Sequence, residues 1–423
     1  MKLLIPIAAG TAACLLLVAC GGGGANGTIP PANPPTCSSL DTQTGKSALV
    51  SSQGVIAIPG VIVPRSTVEN AGDVGQRAHT NYLINTAGRG RGRDISGFTP
   101  AQITTVYNVP AGGSGAIAVI DAYDDPTALA DFNTFATQFG LPTETSSDPT
   151  ASTNTVFQVV YVGGSAPAVD ASWAQESALD TQWAHAVAPG AKVYLVEAAS
   201  SLLTDLMAAA NLAKTLPGVT QVSMSFGSTE VACDFVHYDT MLLQPGVEFF
   251  APAGDTSAER DYPALSVNVV AVGGTTLTMD SSNHRLAETV WKSSGGNGSH
   301  YEPRPTFQDR VSSLIGQYRA SNDITAVADP NTGVAVYSGT PYLGFSGWQV
   351  FGGTSASCPI IAGIANVAHT GRNGSFELCT QMYSQLGTTA FVDVVTGVTG
   401  PYTAGAGWDI PSGVGAPNGI TGF

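Results

Sequence analysis

From about Phe98 onward, short and nearly continuous apolar runs alternate with helical stretches, and no other feature constrains the fold as tightly. The runs "GAIAVID" and "AKVYLVEA" read as strands, while "DPTALADFNTFATQFG" and "SLLTDLMAAANLAKT" read as helices. Three more apolar runs follow, "VTQVSMSFG", "VEFFAPAG" and "VNVVAVGG". Strands without polar alternation are buried on both faces, so the expected fold is α/β, with a central mostly parallel sheet and helices on both sides. In such sheets the chemistry gathers at the carboxyl ends of the strands. Three residues fall there: Asp121 in "VIDAYDD", Asp255 in "APAGD" and Ser355 in "FGGTSASCP". Ser355 opens the apolar run "SASCPIIAGIANVA", whose Pro359 suits an early helical turn. The free N–H groups and positive dipole end of a helix N-terminus favour an oxyanion.

Sixteen basic residues against 31 acidic ones give a net charge of -15, which argues against nucleic acid as a partner. At 11% charged residues the surface gathers little positive self-repulsion in acid, a property shared with ordinary secreted acidic proteins. At the N-terminus, Lys2 precedes "LLIPIAAGTAACLLLVAC" and then "GGGG", the pattern of a secretory signal over residues 1–20. "LVAC" resembles a bacterial lipobox with Cys20 as the lipidated residue, which places the protein at the cell envelope (outer membrane or surface) or, if released, outside the cell. Residues 21–97 read as a Gly/Pro-rich tether and short extension, and 98–423 as the functional domain. After export, Cys37, Cys233, Cys358 and Cys379 remain, which allows up to two disulfides in three connectivities.

A serine nucleophile needs a base. His79, His237, His284, His300 and His369 lie in an ambiguous stretch, polar loops or remote helix positions. His185 in "TQWAHAVAPGA" comes late in its helix, where a structural or capping role fits better. Upstream on the same helix, Glu176 and Asp180 in "WAQESALD" are one turn apart on one face. Trp173, Leu179 and Trp183 crowd them. Buried together, such carboxyls share a proton and titrate as a pair.

Taken in order, "WAQESALD", "APAGDTSAERDYPALSVNVVAVGGTTL", "GGTSASCP" and "FVDVVTG…YTAGAGWDIPSGVGAPNG" resemble the sedolisin family, the serine-carboxyl peptidases. The resemblance covers about Phe98 to Phe423 and implies a subtilisin-like three-layer fold. It implies that Ser355 is the nucleophile, Glu176 the general base, Asp180 its orienting partner, and Asp255 a lining of the oxyanion hole. An ionised Asp255 would repel an oxyanion, so it must be protonated to donate. The expected activity is endopeptidase action on protein or peptide substrates by a monomer, with an optimum of roughly pH 3–5 because a free glutamate titrates near 4.3. The resemblance also implies one structural calcium ion, held by the carboxylates of Asp393 and Asp409 and the backbone oxygens of Val394, Gly405 and Gly407. "SMSFGS" resembles the family's strand that pairs with extended substrate. Residues 21–97 leave little room for the family's large pro-domain. Two other readings stay open: a subtilisin-type peptidase using Asp121, His185 and Ser355, and a non-catalytic surface binding protein on the same fold.

Overall fold

A computed structural model describes residues 60–86, 95–368 and 371–423. The signal and Cys20, the Gly/Pro-rich tether, Cys37 and His369 lie outside these residues. Among the described residues the central sheet has eight strands. Its order is Arg285–Val290, Val269–Met279, Glu248–Pro252, Val219–Ser223, Ala116–Ala122, Lys192–Ala198 and Phe157–Tyr161, with Ile324–Val327 also pairing with Val269–Met279. Every pairing is parallel except that of Arg285–Val290, which runs antiparallel at the edge.

The strand Ala116–Ala122 explains the layering. All seven of its residues are buried, and successive side chains point to opposite faces. Ile117 and Val119 pack with Phe132 and Ala184, so the helices Ala128–Phe139 and Ala171–Val187 cover that face. Ala118 and Ile120 pack instead with Leu206, Met207 and Ala210 of the helix Leu203–Ala213 on the other face. Fully burying a Val or Ile side chain contributes roughly 1.5–3 kcal/mol. Two covered faces therefore account for the unbroken apolar runs. Counting on by two puts Asp121 on the face of Ala171–Val187.

That helix is buried along almost its whole length although half its residues are polar. Asp170 caps it by accepting from Ser172 N (2.9 Å) and Trp173 N (3.4 Å). One side is satisfied by the strand Val334–Tyr342. Gln182 bonds Tyr337 through both O and N, Gln175 donates to Ser338 Oγ and Thr340 O, and Trp183 Nε1 donates to Ala335 O. The opposite side carries Glu176 and Asp180. The helix Thr354–Ala368 packs against it through Ile360, Ile361 and Ile364. Pro359 stands in the second turn of that helix rather than in the first, and its missing N–H removes the i→i−4 bond to the Ser355 carbonyl.

Residues 60–86 belong to the same compact unit as the central sheet. Val61–Ile62 and Leu83–Asn85 extend a four-stranded sheet with Phe345–Gly352 and Val334–Tyr342. His79–Thr80 pairs antiparallel with Phe226–Thr229.

Candidate functional site

Ser355 is the second residue of its helix and fully buried. The turn before it depends on Gly353, whose φ is +98°. A methyl group built there would collide with both the Asn81 carbonyl oxygen and Asp255 Oδ2. The Ser355 N–H donates to Asn81 O (2.9 Å), and the hydroxyl donates to Ser225 O (3.3 Å) and accepts from Asn81 N (3.2 Å).

Beside the serine lie three carboxyls with no solvent exposure: Glu176, Asp180 and Asp121. All six of their oxygens lack a hydrogen bond of ordinary geometry. Burial pushes Glu176 well above the usual carboxylate range, and Asp180 and Asp121 push it further. The Ser355 hydroxyl is near enough to act the other way, favouring the ionised form. Asp180 is raised by burial and by Asp121, with Ser225 opposing. Burial likewise raises Asp121, against the pull of Ser177. Like charges in a dry site cannot all ionise, so protons are shared across this row.

Asp255 follows the strand Glu248–Pro252. Its Oδ1 accepts from Thr354 N (2.7 Å) and Thr354 Oγ1 (2.9 Å), while Oδ2 is shielded from solvent and has no partner. Burial lifts its pKa well above the ordinary value despite those two donors. A neutral Asp255 thus has an O–H free to donate toward the point where the Asn81 carbonyl lies.

His185 faces elsewhere. Its Nε2 is 2.8 Å from Pro142 O, its ring stands 4.6 Å from that of Phe132, and burial lowers its pKa to about 4. Of the residues the alternative triad required, Asp121 reaches the Ser355 site and His185 is engaged with Pro142 and Phe132. Asp121 belongs instead to the carboxyl row. Its position was legible from strand parity, but its membership of that row was not.

In the C-terminal loop, Asp409 Oδ2 accepts from Gly405 N and Asp393 Oδ2 from Gly407 N, both at 2.8 Å. Asp409 Oδ1 accepts from Ser412. Burial raises Asp409, and the nearby Asp393 charge adds to the rise. Two carboxylates drawn together in a glycine turn, with Gly407 at φ +84°, are a hard-oxygen set that fits calcium. Cys233 is disulfide-bonded, whereas Cys358 and Cys379 are free and buried.

Fold and site together define a subtilisin-like α/β scaffold with a helix-borne serine set among carboxyls. The subtilase family (peptidase S8) matches residues 162–390. Sedolisin of Pseudomonas sp. (strain 101) is 35% identical over 182 residues, covering 39% of this chain and 30% of the relative. Kumamolisin of Bacillus sp. (strain MN-32) is 29% identical over 369 residues, covering 76% and 62%. The solved structure of Pseudomonas sedolisin, a serine-carboxyl proteinase complexed with two molecules of pseudo-iodotyrostatin, superposes with a TM-score of 0.65 at 25% identity, over 77% of this chain and 96% of that one. The chain belongs to the subtilase family and, within it, to the sedolisins. It spans less than two thirds of the length of either curated relative.

Proposed function

We propose that the protein is a serine-carboxyl endopeptidase that hydrolyses peptide bonds in proteins or peptides under acidic conditions. The observation that carries this reading is the pairing of a helix-borne serine with a buried, unpartnered glutamate whose pKa the serine hydroxyl perturbs. Ser355 Oγ attacks the substrate carbonyl and Glu176 takes its proton, later passing it to the leaving amine. Asp180 positions Glu176 and buffers its proton, with Asp121 extending the row. The Ser355 N–H and a protonated Asp255 receive the oxyanion.

The pH dependence follows from the two roles. Glu176 must be ionised and Asp255 protonated, so activity rises with pH through the first titration and falls through the second. An exposed glutamate would place the rising limb near ~4.3; burial, with Asp180 and Asp121 beside it, moves that limb to higher pH. A calcium ion on Asp393, Asp409 and the backbone oxygens of Val394, Gly405 and Gly407 would tie the C-terminal loop and take no part in the proton transfers. Export and anchoring through a lipid on Cys20 complete the proposal. Replacing Glu176 with Gln tests it: activity on an unfolded protein should fall roughly 10²–10⁴-fold, and undiminished hydrolysis would defeat the reading.

A further inference from the structure

His79, Glu259 and Asp261 meet beside the Ser355 site but have no part in its proton transfers. The strands His79–Thr80, Phe226–Thr229 and Asp261–Tyr262 form an antiparallel sheet with Phe226–Thr229 in the middle. His79 pairs with Gly227, and Asp261 pairs with Thr229. Positions 227 and 229 face the same way, so the His79 and Asp261 side chains stand on one face, diagonally across Gly227. A methyl group built on Gly227 would come within 2.6 Å of Asp261 Oδ2, and only glycine leaves that space open. His79 Nε2 is then 3.6 Å from Asp261 Oδ2 and 3.9 Å from Glu259 Oε1. One ligand atom from each of the three residues lies within 4.8 Å of the other two.

From this geometry we infer that His79, Glu259 and Asp261 hold a divalent transition-metal ion, with zinc as the expected occupant. The inference does not depend on the peptidase reading. An imidazole nitrogen with carboxylate oxygens suits zinc, whereas calcium and magnesium take oxygen alone. The site therefore differs in chemistry and in place from the Asp393 and Asp409 loop. The atoms it uses are buried and unpartnered: His79 Nε2 and both Asp261 oxygens make no hydrogen bond, in residues 3% and 1% exposed. Structural polar groups at such depth are ordinarily paired.

The far ends of two ligands are already held as a metal site needs. His79 Nδ1 is 3.3 Å from Thr80 O, a carbonyl that can only accept, so the proton sits on Nδ1 and the Nε2 lone pair faces the carboxyls. Glu259 Oε2 accepts from Thr256 N at 2.9 Å, which leaves Oε1 for the ion. The spacing also discriminates against a plain ion pair. A protonated imidazole would close on a carboxylate to about 2.7–2.9 Å. Ligands about 2.0–2.2 Å from a tetrahedral ion stand about 3.3–3.6 Å apart, nearer to the separations seen. The fourth position falls to the second Asp261 oxygen or to water entering beside Glu259, whose side chain is 14% exposed. Glu69, Asp255 and Glu230 add negative charge around Asp261, which a dication offsets better than one imidazole does.

The test uses the full chain at neutral pH, stripped of metal with a chelator, with intact mass confirming that His79 is retained. Calcium is kept in excess throughout, so that the Asp393 and Asp409 loop does not compete for the probe. Zinc is titrated by calorimetry and the bound metal is counted after dialysis; cobalt(II) then serves as a spectroscopic probe. The expected result is one zinc per chain that excess calcium does not displace, and, with cobalt, the intense visible absorption of a four-coordinate ion. His79→Gln and Asp261→Asn should each weaken zinc binding by at least the roughly 10–100-fold that loss of an outer partner costs. His284→Gln, on the exposed surface, should leave it unchanged. Circular dichroism checks folding, and Glu259→Gln, at the more open side of the site, replaces a buried variant that does not fold and should lose affinity likewise. Unchanged zinc affinity in the folded ligand variants, no zinc bound by the wild type, or a six-coordinate cobalt spectrum overturns the inference. None of these outcomes involves Ser355 or Glu176, so the peptidase reading stands or falls separately.

Discussion

Two of the clusters of buried ionisable groups among the described residues are built in opposite ways. In one, Arg319 donates to both oxygens of Asp323 (2.8 and 2.5 Å), Tyr383 and the Ala271 N–H complete the carboxylate, and the remaining guanidinium donors reach the carbonyls of Ala320, Val269 and Ser266. In the other, Asp121, Glu176 and Asp180 carry no cation and no ordinary hydrogen bond. The first cluster offsets its desolvation with opposite charge and donors, as a structural ion pair must. The second leaves desolvation uncompensated, so its members hold protons at pH values where an exposed carboxyl would have lost them. Equal burial thus yields a clamp in one place and a proton store in the other.

The sharpest break between the two should come from matched substitutions. Glu176→Gln should remove roughly 10²–10⁴ of kcat while leaving the folded state as stable as wild type or more so at neutral pH, by denaturant titration. Asp323→Ala should instead destabilise by ~3–5 kcal/mol, because it strands a buried guanidinium, and any activity lost should follow the folded fraction. Similar stability losses in both variants would erase the distinction. Next in size is Asp255→Ala, expected to lower kcat roughly 10²–10³-fold with little change in KM, since its O–H is needed only as the oxyanion forms. A change confined to KM would place Asp255 in ground-state binding.

Stability against pH sharpens the contrast further. Beyond the reactive row, burial raises Asp125 to about 7, Asp234 to about 8, Asp239 to about 6, Glu302 to about 7 and Glu197 to about 9. A carboxyl whose folded pKa is raised contributes stability below its unfolded value near ~4, and loses it as pH climbs through the folded value. His185, lowered to about 4, acts in the other direction and costs stability as pH falls from 6.5 toward 4. Several raised carboxyls outweigh one histidine, so Tm should be higher at pH 5 than at pH 8. The reverse order would show that these carboxyls do not control stability. The smallest effect should come from chelation: Tm falls by a few degrees while the pH–rate profile keeps its shape. An unchanged Tm in metal-free buffer would count against Asp393 and Asp409 as ligands.

Much of this was legible in the sequence, and the reasons differ from one residue to the next. Period-two counting along "IAVID" places Asp121 on the correct face, and the i, i+4 spacing of Glu176 and Asp180 aligns them on one side of a helix. Both are local geometry. Strands and helices fell where the apolar runs indicated, because double-sided burial leaves no other pattern. The course of residues 79–82 was not legible. "HTNY" has no motif, and its position depends on pairing with strands about 150 and 270 residues later, at Phe226–Thr229 and Phe345–Gly352. His185 was separable from the site in the sequence by its place late in the helix. Its bond to Pro142 settles the orientation, and that contact joins segments 43 residues apart.

The account's central claim is that a carboxyl, and not a histidine, takes the Ser355 proton. The direct measurement is the pH–rate profile of the purified, acid-incubated protein on an unfolded protein substrate, beside Glu176→Gln and His185→Gln. The account expects a peak in the acid range that disappears in Glu176→Gln and survives in His185→Gln. A peak at pH 7 to 8 that tolerates Glu176→Gln and is lost in His185→Gln would contradict it.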